Sequence, residues 1–150
     1  MRCVVQRVNS AKVFVDNELK SKIGKGFLVL LGIEINDNEE DLNFLVRKIS
    51  NLRIFDDLNG KLNLSIKDIN GEIMVISQFT LYGNVKNGFR PDFIRAEKGE
   101  KAKLIYEKFI ENLKKEGFTV KEGVFGAYMQ IELINDGPVT IIIDSKFKDF

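Results

Sequence analysis

Apolar residues recur along this chain in two rhythms, one of strands and one of helices. Residues 3–8 and 11–15 are rich in β-branched side chains and read as two strands, followed by a turn signal at Asp16-Asn17. Phe27-Leu28-Val29-Leu30-Leu31, an unbroken apolar run between Gly26 and Gly32, reads as a strand buried on both faces. The spacing then changes. Leu42, Leu45, Val46 and Ile49 recur at helical intervals after Asn38-Glu39-Glu40-Asp41, where Asn38 suits an N-cap and the acids suit a first turn. A first helix is predicted to run to about Asn51. A second is predicted over residues 100–116, with Ala102, Ile105, Phe109 and Leu113 as its apolar stripe.

Shorter strand signals fill the remainder. Arg53-Ile54-Phe55 reads as a short strand, with a loop from Asp56 to Gly60. Residues 72–79 read as a strand with the dense centre Ile73-Met74-Val75-Ile76, and residues 83–91 as a polar loop. Residues 119–122, 128–134 and 139–144 read as three closing strands. There is no internal repeat, low-complexity stretch or linker, so residues 1–150 are expected to form one domain. The expected class is α+β: a three-layer β/β/α arrangement with mainly antiparallel curved sheets and two long helices on one side.

Composition narrows the chemistry. The net charge of +1 offers no global basic field, so any nucleic-acid contact has to come from a local patch. The single cysteine, Cys3, cannot form an intrachain disulfide and sits in a strand expected to be buried. Charges interrupt the apolar residues at the N-terminus, unlike a signal peptide, and no apolar run reaches membrane-spanning length. A cytoplasmic location without membrane contact is expected.

The chain contains no histidine. A Ser-His-Asp triad and a Cys-His dyad are therefore excluded within it, and a zinc site is disfavoured. Asp56, Asp57 and Asn59 form the tightest oxygen cluster, but their spacing does not match an EF-hand loop and also fits a solvated turn closed by Gly60. Ser77 and Thr80 stand at the end of a central strand, where they are either ordinary strand residues or hydroxyls of a site. Asn135-Asp136-Gly137-Pro138 between two apolar runs reads locally as a hairpin turn, for which a trans Gly-Pro bond is the ordinary form.

Two segments bear a resemblance that alters these local readings. Ser77-Gln78-Phe79-Thr80-Leu81 and Asn135-Asp136-Gly137-Pro138-Val139-Thr140 resemble the signature motifs of D-aminoacyl-tRNA deacylases. So, in the same order, do Met1-Arg2-Cys3-Val4-Val5-Gln6-Arg7-Val8, Gly26 to Gly32, Asn51-Leu52-Arg53-Ile54-Phe55, Gly60-Lys61 and Phe125-Gly126-Ala127-Tyr128-Met129. The resemblance implies a cytosolic homodimer that needs no cofactor. Its substrate would be aminoacyl-tRNA, from whose terminal adenosine it would release a D-amino acid or glycine.

It further implies that Gly137-Pro138 is cis and reaches into the partner subunit's site, where its backbone would exclude an L-side chain. Ser77, Gln78, Phe79 and Thr80 would line the pocket, Phe125 and Met129 would form its wall, and Arg7 would brace the Gly-Pro segment. Many members carry Ser where this chain has Asp92, so no hydroxyl role is carried over there. Thr80 would act as a nucleophile, or the protein would supply only positioning and backbone N–H groups near Gln78 and Phe79 while the ribose 2′-hydroxyl assists. The histidine-free composition favours the second route. The competing classes are an RNA- or nucleotide-binding module using Lys101, Lys103, Lys108, Lys114 and Lys115, and a dimerisation domain. Interleaved Glu100, Glu107, Glu111 and Glu116 equally fit a solvated helix face.

Overall fold

The computed structural model describes residues 1–149. Its strands are β1 (Arg2–Val15), β2 (Glu18–Ile23), β3 (Gly26–Gly32), β4 (Phe55–Asp56), β5 (Leu62–Leu64), β6 (Glu72–Ser77), β7 (Thr119–Glu122) and β8 (Gln130–Asp144). Helix α1 (Glu39–Asn51) lies between β3 and β4, and α2 (Gly99–Lys115) between β6 and β7. Asn38 caps α1 as the sequence predicts: its side chain accepts from the N–H groups of Glu40 and Asp41, and Asp41 reaches back to the Asn38 N–H.

The main sheet runs β2-β1-β3-β6-β7, with β8 on the other side of β1. The pairs β1–β2, β1–β3 and β1–β8 are antiparallel, whereas β3–β6 and β6–β7 are parallel. The parallel pairs arise where the connections contain the helices, as a crossover requires. Residues 2–8 of β1 pair with β3 and residues 11–15 with β2, while β8 follows both halves. The two segments expected as separate strands at 3–8 and 11–15 are thus one long bent strand. Positive φ at Asp16 (51°) and Asn17 (62°) forms the tight turn into β2, an element not anticipated from the sequence.

Alternation across the sheet divides the interior in two. Phe27, Val29 and Leu31 of β3 and Ile73 and Val75 of β6 face Leu42, Leu45 and Ile49 of α1 and Tyr106, Phe109 and Leu113 of α2. Leu28, Met74 and Ile76 point the opposite way, against Val8, Ala11, Val13 and Ile23 of the folded-over β1–β2 half. These layers are the expected β/β/α order, with both helices on one side. Fully burying β3 on both faces explains why it reads as a continuous apolar run.

A polar cluster ties the ends of β1 and β8 to the start of α1. The Met1 ammonium donates to Asp37 Oδ1 and Ser145 Oγ, each at 2.7 Å. Buried Asp144 accepts from Arg2 Nε at 2.8 Å and from the N–H groups of Lys146 and Phe147. Burial alone would push its carboxyl up, but those two N–H donors and the Arg2 guanidinium together hold it below the ordinary aspartate value. A carboxyl depressed in the folded state contributes stability that is complete above its unfolded value of about 3.9 and is lost as pH falls through the lower folded value. Thermal melts are therefore expected to hold level from neutrality to about pH 5 and to drop below about pH 4. Asp144→Asn should lower the neutral melting temperature and make the acid drop shallower; an unchanged acid limb in the variant would contradict this assignment.

Candidate active site

Strand β6 stops at Ser77, two residues earlier than the sequence predicts. The Gln78 N–H still donates to Leu31 O at 2.8 Å, and the chain then turns into a 3₁₀ helix, Phe79–Tyr82. Packing explains the break. The turn folds over Gly32, where a Cβ would lie 3.1 Å from Leu81 Cβ and Tyr82 Cε2 and 3.2 Å from Gln78 O. A side chain there would force its neighbours to give by a few tenths of an ångström, so glycine suits the close approach. The Gly83 N–H donates to Thr80 O at 2.9 Å and closes the turn.

Beside this turn lies a cleft of about 280 Å³ at the carboxyl ends of the parallel strands β3 and β6. Leu31, Ile33, Ser77, Phe79, Ala102 and Phe125 line it, together with Glu97, Lys98, Gly99 and Gly126. Phe125 is carried by a loop whose Gly123 N–H donates to Val75 O at 3.0 Å, and its ring packs on Tyr106 with centroids 5.5 Å apart. Tyr106 is fixed in turn by its hydroxyl, which donates to Val75 O at 2.8 Å.

The remaining expected site residues occupy other places. Thr80 is exposed on the 3₁₀ turn, and its Oγ1 accepts a short hydrogen bond from Gln78 Nε2. Neither residue lines the cleft itself. Met129 is not among the residues lining the cleft, and its sulfur accepts from the Val124 N–H at 3.4 Å. Gly137 and Pro138 lie outside the cleft of their own chain. They belong to the continuous strand β8, not to a hairpin between two strands, and the peptide bond between them is cis.

Their setting is a bulge. Gln6 of β1 pairs with Thr140 and Val8 with Asn135, so residues 136–139 stand opposite the single residue Arg7. Arg7, only 5% exposed, fills the space beneath. Its Nε donates to Asp136 O at 2.9 Å and its Nη1 to Ile54 O at 2.7 Å. Gly137 has φ of +131°, and an added Cβ would stand 2.9 Å from Val139 N and 3.2 Å from Arg7 Nη2.

Electrostatics leave few groups able to move a proton. Among the described residues Glu97 is the sole carboxylate lining the cleft. A hydrogen bond from Lys101, helped by the Lys98 N–H, holds it below the ordinary glutamate range, which makes it a weak base. Burial pushes the Cys3 thiol up to about 12, so it is not a nucleophile. No cluster of three or more acidic, Cys or His groups suited to a metal occurs among the described residues. Sequence reasoning missed Leu31, Ile33, Glu97, Lys98, Gly99 and Ala102. Their only linear signals were the end of the apolar run at Gly32 and the start of the second helical pattern.

The fold is α+β, and the cleft is furnished with hydroxyl, aromatic and main-chain groups and one carboxylate held in its charged form. Comparison with known proteins gives the family. The family model described as D-Tyr-tRNA(Tyr) deacylase matches residues 4–144, and the chain belongs to that family. The D-aminoacyl-tRNA deacylase of Thermosipho melanesiensis is 56% identical over 147 residues, covering 97% of this chain and 98% of the relative. That of Flavobacterium psychrophilum is 55% identical over 150 residues, covering 99% and 100%. The solved c-Myc DNA unwinding element binding protein superposes with a TM-score of 0.90 at 47% identity, covering 96% of this chain and 98% of that one. A probable eukaryotic D-amino acid tRNA deacylase shares the fold at 16% identity with a TM-score of 0.82, covering 95% and 98%.

Proposed function

We propose that this protein hydrolyses the ester linking a D-amino acid, or mischarged glycine, to the terminal adenosine of tRNA. It would thereby proofread the chirality of aminoacyl-tRNA before translation. The observation that carries the reading is a family match over nearly the whole chain whose motif residues Ser77 and Phe79 lie on the cleft.

The working unit would be a homodimer in which Gly137-Pro138 of one subunit enters the cleft of the other. Three features support this. Gly137 and Pro138 are exposed and away from their own cleft. Strand β8 pairs only with β1 among the described residues, so a 15-residue strand has one open edge. Tyr128, Ile134 and Ile142 are exposed apolar side chains in or just before that strand, at 89%, 59% and 45%. Backbone placed against the substrate's α-carbon would collide with an L-side chain and leave a D-side chain free. Glycine has nothing to collide, which accounts for its proposed acceptance.

Ester cleavage then needs an oxyanion site and a route for protons. The Gln78 N–H is committed to Leu31 O. The N–H groups of Phe79 and Thr80, which open the 3₁₀ turn and have no partner within it, are the donors left to face the oxyanion. Glu97, the carboxylate on the cleft, is a weak base, so the substrate's own 2′-hydroxyl would assist.

DNA binding, named for the structural relative, has only a net charge of +1 behind it here. Incubation with D-tyrosyl-tRNA and L-tyrosyl-tRNA at equal concentration separates the readings. Release of free D-tyrosine with the L-ester left intact is expected. Binding without release would favour a binding module, and equal cleavage would remove the Gly-Pro filter.

A further inference from the structure

We infer that the loop 84–92 beside the cleft is a docking platform for the single-stranded 3′ end of the RNA. In this role Phe89 stacks on a base upstream of the terminal adenosine, and Lys86 and Arg90 face phosphates. The inference rests on the proposed aminoacyl-tRNA substrate.

Phe89 is 106% exposed and Val85 62%, so the tip of this loop presents an aromatic ring wholly to solvent. Lys86 and Arg90 flank it, and no acidic residue lies between Gly83 and Pro91. Neither cation has an ion-pair partner among the described residues, in contrast to Lys101, Lys103, Lys108 and Lys115 of α2, which pair with Glu97, Glu107, Glu39 and Glu111. The helix lysines are largely neutralised, and the loop cations are not. An exposed ring between unpaired cations is the combination that binds single-stranded nucleic acid: every base offers a face to stack on, and the backbone offers charge.

The platform is also held in place. Asn84 and Asp92 exchange backbone hydrogen bonds of 2.9 and 3.0 Å at its base. The Asn84 side chain donates to Asp92 Oδ2 at 3.1 Å and accepts from the Lys86 N–H at 3.0 Å. Asp92 therefore clamps the loop. Next to the clamp, Phe93 meets Phe79 of the cleft edge to face, with centroids 5.1 Å apart. A strand of RNA whose last nucleotide sits at the cleft has to leave it along the surface, and the Phe93–Phe79 contact ties the base of this loop to a residue of the cleft.

The test compares two D-tyrosyl esters, one on tRNA and one on adenosine alone. Phe89→Ala should raise KM for D-tyrosyl-tRNA about 10-fold while hydrolysis of D-tyrosyl-adenosine stays within about 2-fold, and Phe89→Trp should restore the tRNA value. Lys86→Gln with Arg90→Gln should lower the slope of log KM against log salt by about 1.4, at about 0.7 for each phosphate contact. Equal losses on both esters, or none on tRNA, would overturn the assignment. So would a change of oligomeric state in Phe89→Ala by sedimentation, which would make the loop a subunit contact. If the wild-type protein cleaves neither ester, the functional reading has failed separately. Titration with a labelled ACCA oligonucleotide then reads the loop alone: weaker binding by Phe89→Ala supports it, and equal binding by both proteins overturns it.

Discussion

A D-aminoacyl-tRNA whose terminal adenosine lacks the 2′-hydroxyl is expected to be hydrolysed at least ~100-fold more slowly than the normal substrate, the low end of what a positioned proton-transfer group contributes. Thr80→Ala, by contrast, is expected to retain activity within about 10-fold of wild type. The structure supplies the reason for both. A threonine nucleophile has to give up its proton as it attacks, and Thr80 Oγ1 is hydrogen-bonded to an amide, Gln78, which is not a base in either orientation. The chain has no histidine, and Glu97, the carboxylate on the cleft, is stabilised in its charged form by Lys101. The proposed proton route therefore runs through the substrate's own 2′-hydroxyl. Aminoacyl esters are activated, so orientation and two main-chain N–H donors can supply much of the remaining barrier reduction. Single-turnover rates on matched ribo- and 2′-deoxy-terminated substrates check the first expectation. Complete loss of turnover in a folded, substrate-binding Thr80→Ala protein would reverse the choice in favour of an acyl-enzyme.

Gly137→Ala is expected to reduce deacylation of D-tyrosyl-tRNA by about 100-fold or more, because displacement of a positioning group by about 1 Å can cost that much. The alanine Cβ would meet Val139 N and Cγ2, both at 2.9 Å, and Arg7 Nη2 at 3.2 Å, at a φ of +131° that L-residues rarely adopt. The backbone of residues 136–138 has to shift to relieve these contacts. Its position is an exposed bulge, so the cost to folding should stay near 1–3 kcal/mol. A melting curve separates that cost from the loss of activity. The same shift should weaken rejection of L-tyrosyl-tRNA, measured as the ratio of D to L rates. A variant with wild-type D rate and wild-type D/L ratio would show that this segment does not shape the site.

Local patterns made much of the fold legible. The Asn38 cap, the apolar stripes of α1 and α2 and the doubly buried β3 each depend on neighbours within a few residues, so their signals lie in contiguous sequence. The long strands were less legible. Strand β1 continues through Asn9 and Ser10 because β8 pairs along both of its halves, and β8 continues through Gly137 because the bulge loops four residues out opposite Arg7. Polar residues, glycine and proline read locally as breaks, and only a partner strand more than 100 positions away carries the ladder past them.

The site divides along the same line. The sequence by itself determined which chemistry was excluded, through the missing histidine and the lone buried cysteine, and it marked Ser77 to Thr80 and Gly137-Pro138 as the segments of interest. Tertiary structure decided which of these residues meet. It put Ser77, Phe79 and Phe125 on one cleft with the start of α2, left Thr80 exposed on the 3₁₀ turn outside the cleft lining, and set Met129 Sδ against the Val124 N–H. It also placed Gly137-Pro138 on a bulge braced by Arg7 and outside the lining of its own cleft. Residue type is written in the chain, whereas proximity is set by the bend of β1 and by the parallel packing of β3 on β6, which join segments that no local pattern connects.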